Sequence, residues 1–322
     1  MRELFIDRWA RTEGPKLELQ PCDGPANLEY RPDGALPLGA SAVAFSRTDP
    51  RGPGDTVREV ESLLVDAITG AERLIYAETQ YFSSQAICQA FVERMRQRER
   101  PRLEIVVILN AKPEALKEEI AIGLRQAKML TRLSRAASET GHHLGVYGSL
   151  CEGEAPDRPS TYIHSKLLLV DDRFLTVGSA NLTNRSMGVD TELHASWEAT
   201  GVSEAERQLC EQIRGVRVSL LAEHTGLEQQ VSVDLAAELG NIDGLVARLD
   251  RLTSADNARL TRHVTATDGE KRIMELIDPD ALPFDPAEPE YSESEGWAEE
   301  QQPARSWFTS GISALRQKLT ST

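Results

Sequence analysis

Residues 162–181 read YIHSKLLLVDDRFLTVGSAN. This stretch sets an imidazole, His164, two residues before an ammonium, Lys166, in an otherwise apolar run. In a strand alternate side chains share a face, so His164 and Lys166 point one way, and Ser165, Leu167 and Leu169 the other. A buried lysine is costly unless an anion offsets it. Gly178 lets the backbone come close to a ligand, and Ser179 and Asn181 add a hydroxyl and an amide. Such a set suits a phosphodiester: the ammonium balances the anion and the neutral groups grip its oxygens. The imidazole can attack phosphorus or shuttle a proton near neutral pH.

Two carboxylates complete the pattern. Asp171 has the opposite parity to His164 and Lys166, and reads as a structural carboxylate at a turn. Glu192, in VDTELHA, can hold one ring nitrogen of His164 and fix its tautomer. The bland reading, a strand with two satisfied surface cations, does not account for six fixed positions in H-x-K-x4-D-x6-G-S-x-N.

The elements around this stretch alternate in type. Helices are predicted over 3–12, from a capping box at Thr56 and Glu59 to Gly70, over 84–98, 113–140 and 203–223. Strands are predicted over 41–45, 74–78, 103–109, 144–147, 163–170, 174–177 and 192–198, with Asp171-Asp172-Arg173 as a hairpin turn. Alternating strands and helices predict an α/β fold: a mixed, largely buried β-sheet flanked by helices. The expected organisation is a loop-rich segment at 1–54, a catalytic domain at 55–228 and a helical extension at 229–277, with helices over 231–239 and 242–252. An acidic linker at 278–303 and an amphipathic helix at 304–322 follow.

Composition bounds the partners. Net charge is −15, from 36 Lys and Arg against 51 Asp and Glu, which argues against a general nucleic-acid binder. The acid is uneven: residues 275–300 carry no Lys or Arg, so a local basic cleft is compatible with the total. Cys22, Cys88, Cys151 and Cys210 are far apart and suggest neither a zinc site nor a disulfide framework. The first residues lack the apolar core of a signal peptide, and no run has the length of a membrane span. A cytoplasmic chain is expected. The helix at 304–322 is read as packing on its own domain, or as docking on a partner or peripherally on a membrane.

The H-x-K-x4-D-x6-G-S-x-N pattern resembles the signature of the phospholipase D superfamily. IHSKLLLVDDRFLTVGSANLTNRSMGVDTEL is similar to its second copy in bacterial and eukaryotic phospholipases D. LIYAETQYFSS is similar to the segment that opens their second half, and RELFIDRWARTEG to the end of their first half. The likeness runs from residue 1 to about 228 and touches IDPDALPFDP. It implies a phospholipase-D-like catalytic half with His164, Lys166, Asp171 and Glu192 as the catalytic set, Asp171 being the carboxylate of the motif. Gly178, Ser179 and Asn181 would bind phosphate, and Glu192 would orient His164. Glu78 and Gln80 match a family segment near the cleft, or are the polar ends of a strand. No metal or cofactor is implied.

The implied chemistry is hydrolysis of a glycerophospholipid, or transfer of its phosphatidyl group, through a phosphohistidine. Such enzymes carry two motifs, whereas here only His164 is followed two residues later by Lys. In family order His164 would be the general acid/base. The second motif would come from a homodimer, or from a first half of a split enzyme. The alternatives are another enzyme of the superfamily, a cardiolipin-synthase-like transferase or a nuclease, and a catalytically incomplete half-domain acting as a binding or assembly partner.

Overall fold

The computed structural model describes residues 2–12, 15, 33–51, 55–110, 116–151, 158–229, 234–255, 258–263 and 285–286. The chain divides into two units, residues 1–37 and 38–322. In the first, helix α1 (Arg2–Ala10) stacks Phe5 on Trp9 with ring centroids 6.2 Å apart.

The second unit is built on one sheet. In chain order its elements are β1 (Ala44–Pro50), β2 (Thr56–Arg58), α2 (Glu59–Gly70), β3 (Leu74–Glu78), α3 (Gln85–Arg96), β4 (Glu104–Ile108), α4 (Leu116–Thr140) and β5 (His143–Ser149). There follow β6 (Leu167–Val170), β7 (Phe174–Gly178), α5 (Asn184–Gly188), β8 (Glu192–Glu198), α6 (Glu204–Thr225), α7 (Leu235–Glu238), α8 (Leu245–Leu252) and β9 (Leu260–Arg262). The strand order is β2-β1-β8-β7-β6-β3-β4-β5-β9. The β3–β4 and β4–β5 pairs are parallel and the others antiparallel, so the sheet is mixed.

The central strands are apolar on both faces because both are covered. Every residue of β3 and β4 is buried, as expected of parallel strands between helical layers. On one face Ile75, Ala77, Ile105, Val107 and Leu168 pack with α2, α3 and α4 through Leu64, Phe91 and Leu130. On the other, Tyr76, Val106, Tyr147, Leu167 and Leu169 pack with α6 and α8 through Ile213, Leu221 and Leu249. The α/β class read from alternation is the observed one.

Several boundaries differ. The predicted capping box fails: Thr56, in β2, pairs with Pro50 of β1, and α2 starts at Glu59 with Arg58 at the N-cap, where its side chain does not cap the helix. The β-branched pair Thr56-Val57 is better used in a ladder than at a cap. The loop-rich segment 1–54 contains β1, which pairs with both β2 and β8. The helical extension 229–277 shares the core: α8 contributes Leu245, Val246 and Leu249, and β9 pairs with β5. The acidic stretch 278–303, read as a linker, places Asp285 in the interior at 1% exposure. Residues 304–322 lie outside the described residues.

The β6–β7 turn is held from both sides. Asp171 and Asp172 both have positive φ, 56° and 54°, a conformation that Asp tolerates better than most residues. Asp171 accepts from the backbone amides of Glu72 (2.7 Å), Arg73 (2.7 Å) and Leu74 (2.8 Å), fixing the turn to the start of β3. Asp172 takes a bidentate pair from the fully buried Arg217 of α6, at 2.7 and 2.6 Å. Arg217 also donates to the carbonyl of Leu239, so three segments converge on one guanidinium.

Candidate active site

At the other end of β6, the chain enters the strand through Tyr162-Ile163-His164-Ser165-Lys166. The strand begins at Leu167 rather than 163, although the amide of Gly178 still donates to the carbonyl of Lys166 at 3.0 Å. The alternation expected across 164–169 holds. Leu167 and Leu169 face the α6 layer and Leu168 the α2 layer. Ser165 donates to Glu78, whereas Lys166 turns to Gln80.

Lys166 is 6% exposed. Its ammonium donates to the carbonyl of His164 at 2.8 Å and to Oε1 of Gln80 at 3.4 Å. Among the described residues no carboxylate lies within ion-pair distance of it. Burial lowers its pKa, and the charge of Glu192 opposes that shift. Gln80 joins the ammonium to the rest of the site. Its side-chain amide donates to the Tyr162 hydroxyl at 2.6 Å, and its backbone amide donates to Oδ1 of Asn181 at 3.1 Å. His164 is exposed, and its ring stacks on Tyr162 at 5.7 Å.

The Ser179–Asn181 loop is shaped by its neighbours. A Cβ on Gly178 would sit 2.3 Å from both Cδ2 of His194 and the carbonyl oxygen of Leu193, so the position excludes any side chain. His194 is a structural histidine. It accepts from the amide of Ala180 at 3.2 Å and pairs with Thr176 at 3.1 Å, and burial lowers its pKa to about 4. The amide of Asn181 donates to the Ser186 hydroxyl at 3.2 Å, and Oδ1 of Asn181 also accepts from Thr79 at 3.3 Å. Asn181 therefore uses its carbonyl oxygen inside the protein, and among the described residues no hydrogen bond engages its NH2.

Glu192 does not hold His164 in this structure. Its carboxylate accepts from the hydroxyl of Ser179, and the Ser186 hydroxyl also favours its ionised form. Burial raises its pKa against the pull of those two hydroxyls and of Lys166, and Asp190 adds to the rise. Among the described residues no hydrogen bond joins Glu192 to His164. Glu192 thus reaches the site through Ser179.

The two residues carried from LIYAETQYFSS separate. Gln80 lies in the cluster, whereas Glu78 lies behind it, 2% exposed. Burial pushes the Glu78 pKa up, but hydrogen bonds from His224 (3.0 Å), Ser165 and Tyr76 outweigh it and hold the carboxyl below its usual value. Glu78 is thus a buttress for the residue between His164 and Lys166. Tyr162, Thr79, Ser186, Tyr76 and His224 were not singled out from sequence. Tyr162 has a local signal, an aromatic two residues before His164 on the same parity.

Asp171 requires a correction to the catalytic set. It lies beyond the far end of β6 from His164, seven residues along and so about 20 Å away in extended chain, bonded to three backbone amides. It holds the fold and does not touch the cluster, as its parity had indicated. Asp171→Ala is expected to cost about 2 kcal/mol, because those amides lose their acceptor. Urea unfolding measures this, and turnover by the folded protein should stay within twofold of wild type.

Residues 64–214 match the family model "Cardiolipin synthase, PLD-like domain", a span that contains His164, Lys166, Ser179, Asn181 and Glu192. Phospholipase D alpha 4 of Arabidopsis thaliana is 29% identical over 225 residues, covering 52% of this chain and 29% of its own length. Phospholipase D delta of the same plant is 25% identical over 224 residues, covering 52% and 25%. The chain thus carries a phospholipase-D-like domain over residues 64–214. It spans less than a third of the length of these two plant relatives. Among solved structures, Nuc, a phospholipase D family member from Salmonella typhimurium, aligns at 16% identity and a TM-score of 0.35. That alignment covers 53% of this chain and 91% of Nuc. Phosphatidylserine synthase of Haemophilus influenzae Rd KW20 aligns at 15% identity and a TM-score of 0.35, covering 54% of this chain and 39% of the synthase.

Proposed function

We propose that the chain is a phosphodiesterase that acts on glycerophospholipids, by hydrolysis or by transfer of the phosphatidyl group, through a phosphohistidine. The observation that carries this is the buried ammonium of Lys166, met among the described residues only by neutral acceptors and placed between exposed His164 and the Gln80–Asn181 pair. A phosphodiester supplies the anion that this arrangement lacks. Lys166, Ser179 and Asn181 stabilise charge on the phosphoryl oxygens as phosphorus becomes pentacoordinate.

The chemistry needs two histidines. One imidazole nitrogen forms a bond to phosphorus while the P–O bond to the leaving alcohol breaks, and the other histidine gives that alcohol its proton. The second histidine then takes a proton from water or an acceptor alcohol, whose oxygen attacks phosphorus and releases the first imidazole. By resemblance His164 is the acid/base. A second motif-bearing half supplies the nucleophile, and a second copy of this chain is the simplest source.

An exposed apolar row supports pairing. Phe45, Ala195 and Val177 lie side by side on β1, β8 and β7, with Phe45 48% and Val177 41% exposed. The row ends at Leu167 of β6, which is buried. A cardiolipin-synthase-like transferase is the second reading, favoured by the description of the matched family. Nuclease action is disfavoured by the net charge of −15.

The test is turnover of phosphatidylcholine vesicles and of bis(p-nitrophenyl) phosphate, measured against protein concentration alongside sedimentation. Specific activity should rise with the dimer fraction. A chain that is dimeric yet inert on both substrates would sink the proposal.

A further inference from the structure

We infer that Asp285 is a positioning residue for this site, delivered by the chain beyond the matched family span to lock the loop that carries Ser179 and Asn181. The inference rests on the reading of that loop as the phosphate-binding element. Asp285 is 1% exposed. Its carboxylate accepts from the hydroxyl of Ser83 at 2.6 Å, from the amide of Asn184 at 3.2 Å and from the amide of Arg185 at 2.7 Å. It lies 3.7 Å from the guanidinium of Arg125. Its backbone carbonyl accepts from Arg125 and from the side-chain amide of Asn184 at 3.2 Å.

These donors come from both walls of the site. Ser83 sits in the turn after Gln80, where the amides of Ser83 and Ser84 donate to the carbonyl of Leu182 at 2.8 and 2.9 Å. Asn184 and Arg185 open α5, whose Ser186 hydroxyl accepts from the amide of Asn181. The side chain of Asn184 in turn accepts from the amide of Gln85 at 3.0 Å. Asp285 therefore sits at the junction of the segment that presents Gln80 and the segment that presents Asn181. Those two residues are joined by the bond from the Gln80 amide. A charged acceptor here satisfies two backbone amides and a buried hydroxyl at once. Its loss leaves them unpaired, and a buried polar group without a partner drives local rearrangement.

The experiment is amide hydrogen exchange on Asp285→Ala in the full chain, read by peptides over 79–85, 178–188 and 104–108, with and without added formate. Faster exchange in the first two peptides, an unchanged β4 peptide, and slowing by formate are the expected result. Unchanged exchange everywhere would overturn the inference. So would equal acceleration of the β4 peptide, which would mean a merely structural role. This readout does not need turnover, so it stands even if the proposed activity fails. On the active enzyme, kcat for the diester should fall about tenfold with KM within twofold of wild type, and formate should restore it. An unaltered kcat would overturn the positioning role.

Discussion

His164→Ala abolishes turnover of a chromogenic phosphodiester, by at least about 10⁴-fold, while the melting temperature stays within about two degrees of wild type. Both halves of this result follow from the site. His164 is exposed and its ring touches Tyr162, so its removal leaves neither a cavity nor an unpaired buried group. The backbone carbonyl that accepts from Lys166 at 2.8 Å survives the substitution. Whether His164 acts as nucleophile or acid/base, neither His194 nor His224 can replace it. His194 is locked by Ala180 and Thr176, and its low pKa of about 4 leaves it neutral. His224 is bonded to Glu78. Initial rates and a thermal melt on the same preparation decide the matter. Residual activity above about one per cent of wild type would remove His164 from the chemistry.

Lys166→Met should have the second largest effect, a fall in kcat of about 10²- to 10³-fold. The ammonium is buried and preorganised by two neutral acceptors, so it matters most when charge accumulates on the phosphoryl oxygens. A variant that raised KM alone would show uniform binding instead. Stability should move the other way. Burial lowers the pKa of Lys166 below its unfolded value, so the folded state binds its proton less tightly than the unfolded state does. That penalty is fully present at neutral pH and is relieved as pH rises past the folded pKa towards the unfolded one. Methionine removes the penalty while keeping most of the volume. Lys166→Met is expected to melt higher than wild type at pH 7, with the gap closing at alkaline pH. A lower melting temperature at neutral pH would mean that the ammonium is structural.

Much of this was legible because it is local. The run LEIVVIL marks β4 by apolar length and β-branching, and β3 and β8 fall on the predicted residues. His164, Lys166, Ser179 and Asn181 lie within one hairpin and its exit loop, so sequence spacing alone places them together. The parity of Asp171 pointed away from the site, and the structure agrees. What was missed depends on partners chosen in three dimensions. Thr56 and Glu59 have the spacing of a cap, but β1 competes for Thr56. A true capping box exists at Ser203 and Glu206, where no ladder competes. Glu192 has the right chemistry to hold His164, yet Ser179 is the nearer donor. Asp285 lies in IDPDALPFDP, which the family likeness touches, but an acidic, proline-rich stretch looks the same whether one of its carboxylates is solvated or buried.

The span between Ser83 and Asp285, 202 residues, sets an order of events during synthesis. The strands that carry the motif emerge from the ribosome and can pair while the C-terminal stretch is still being made. The carboxylate that joins the two walls arrives more than a hundred residues after the motif has been translated. A nascent chain therefore holds its sheet before its site is finished, since contacts this distant in sequence form late. An interrupted or proteolysed chain ending before residue 285 would keep its fold longer than its competence.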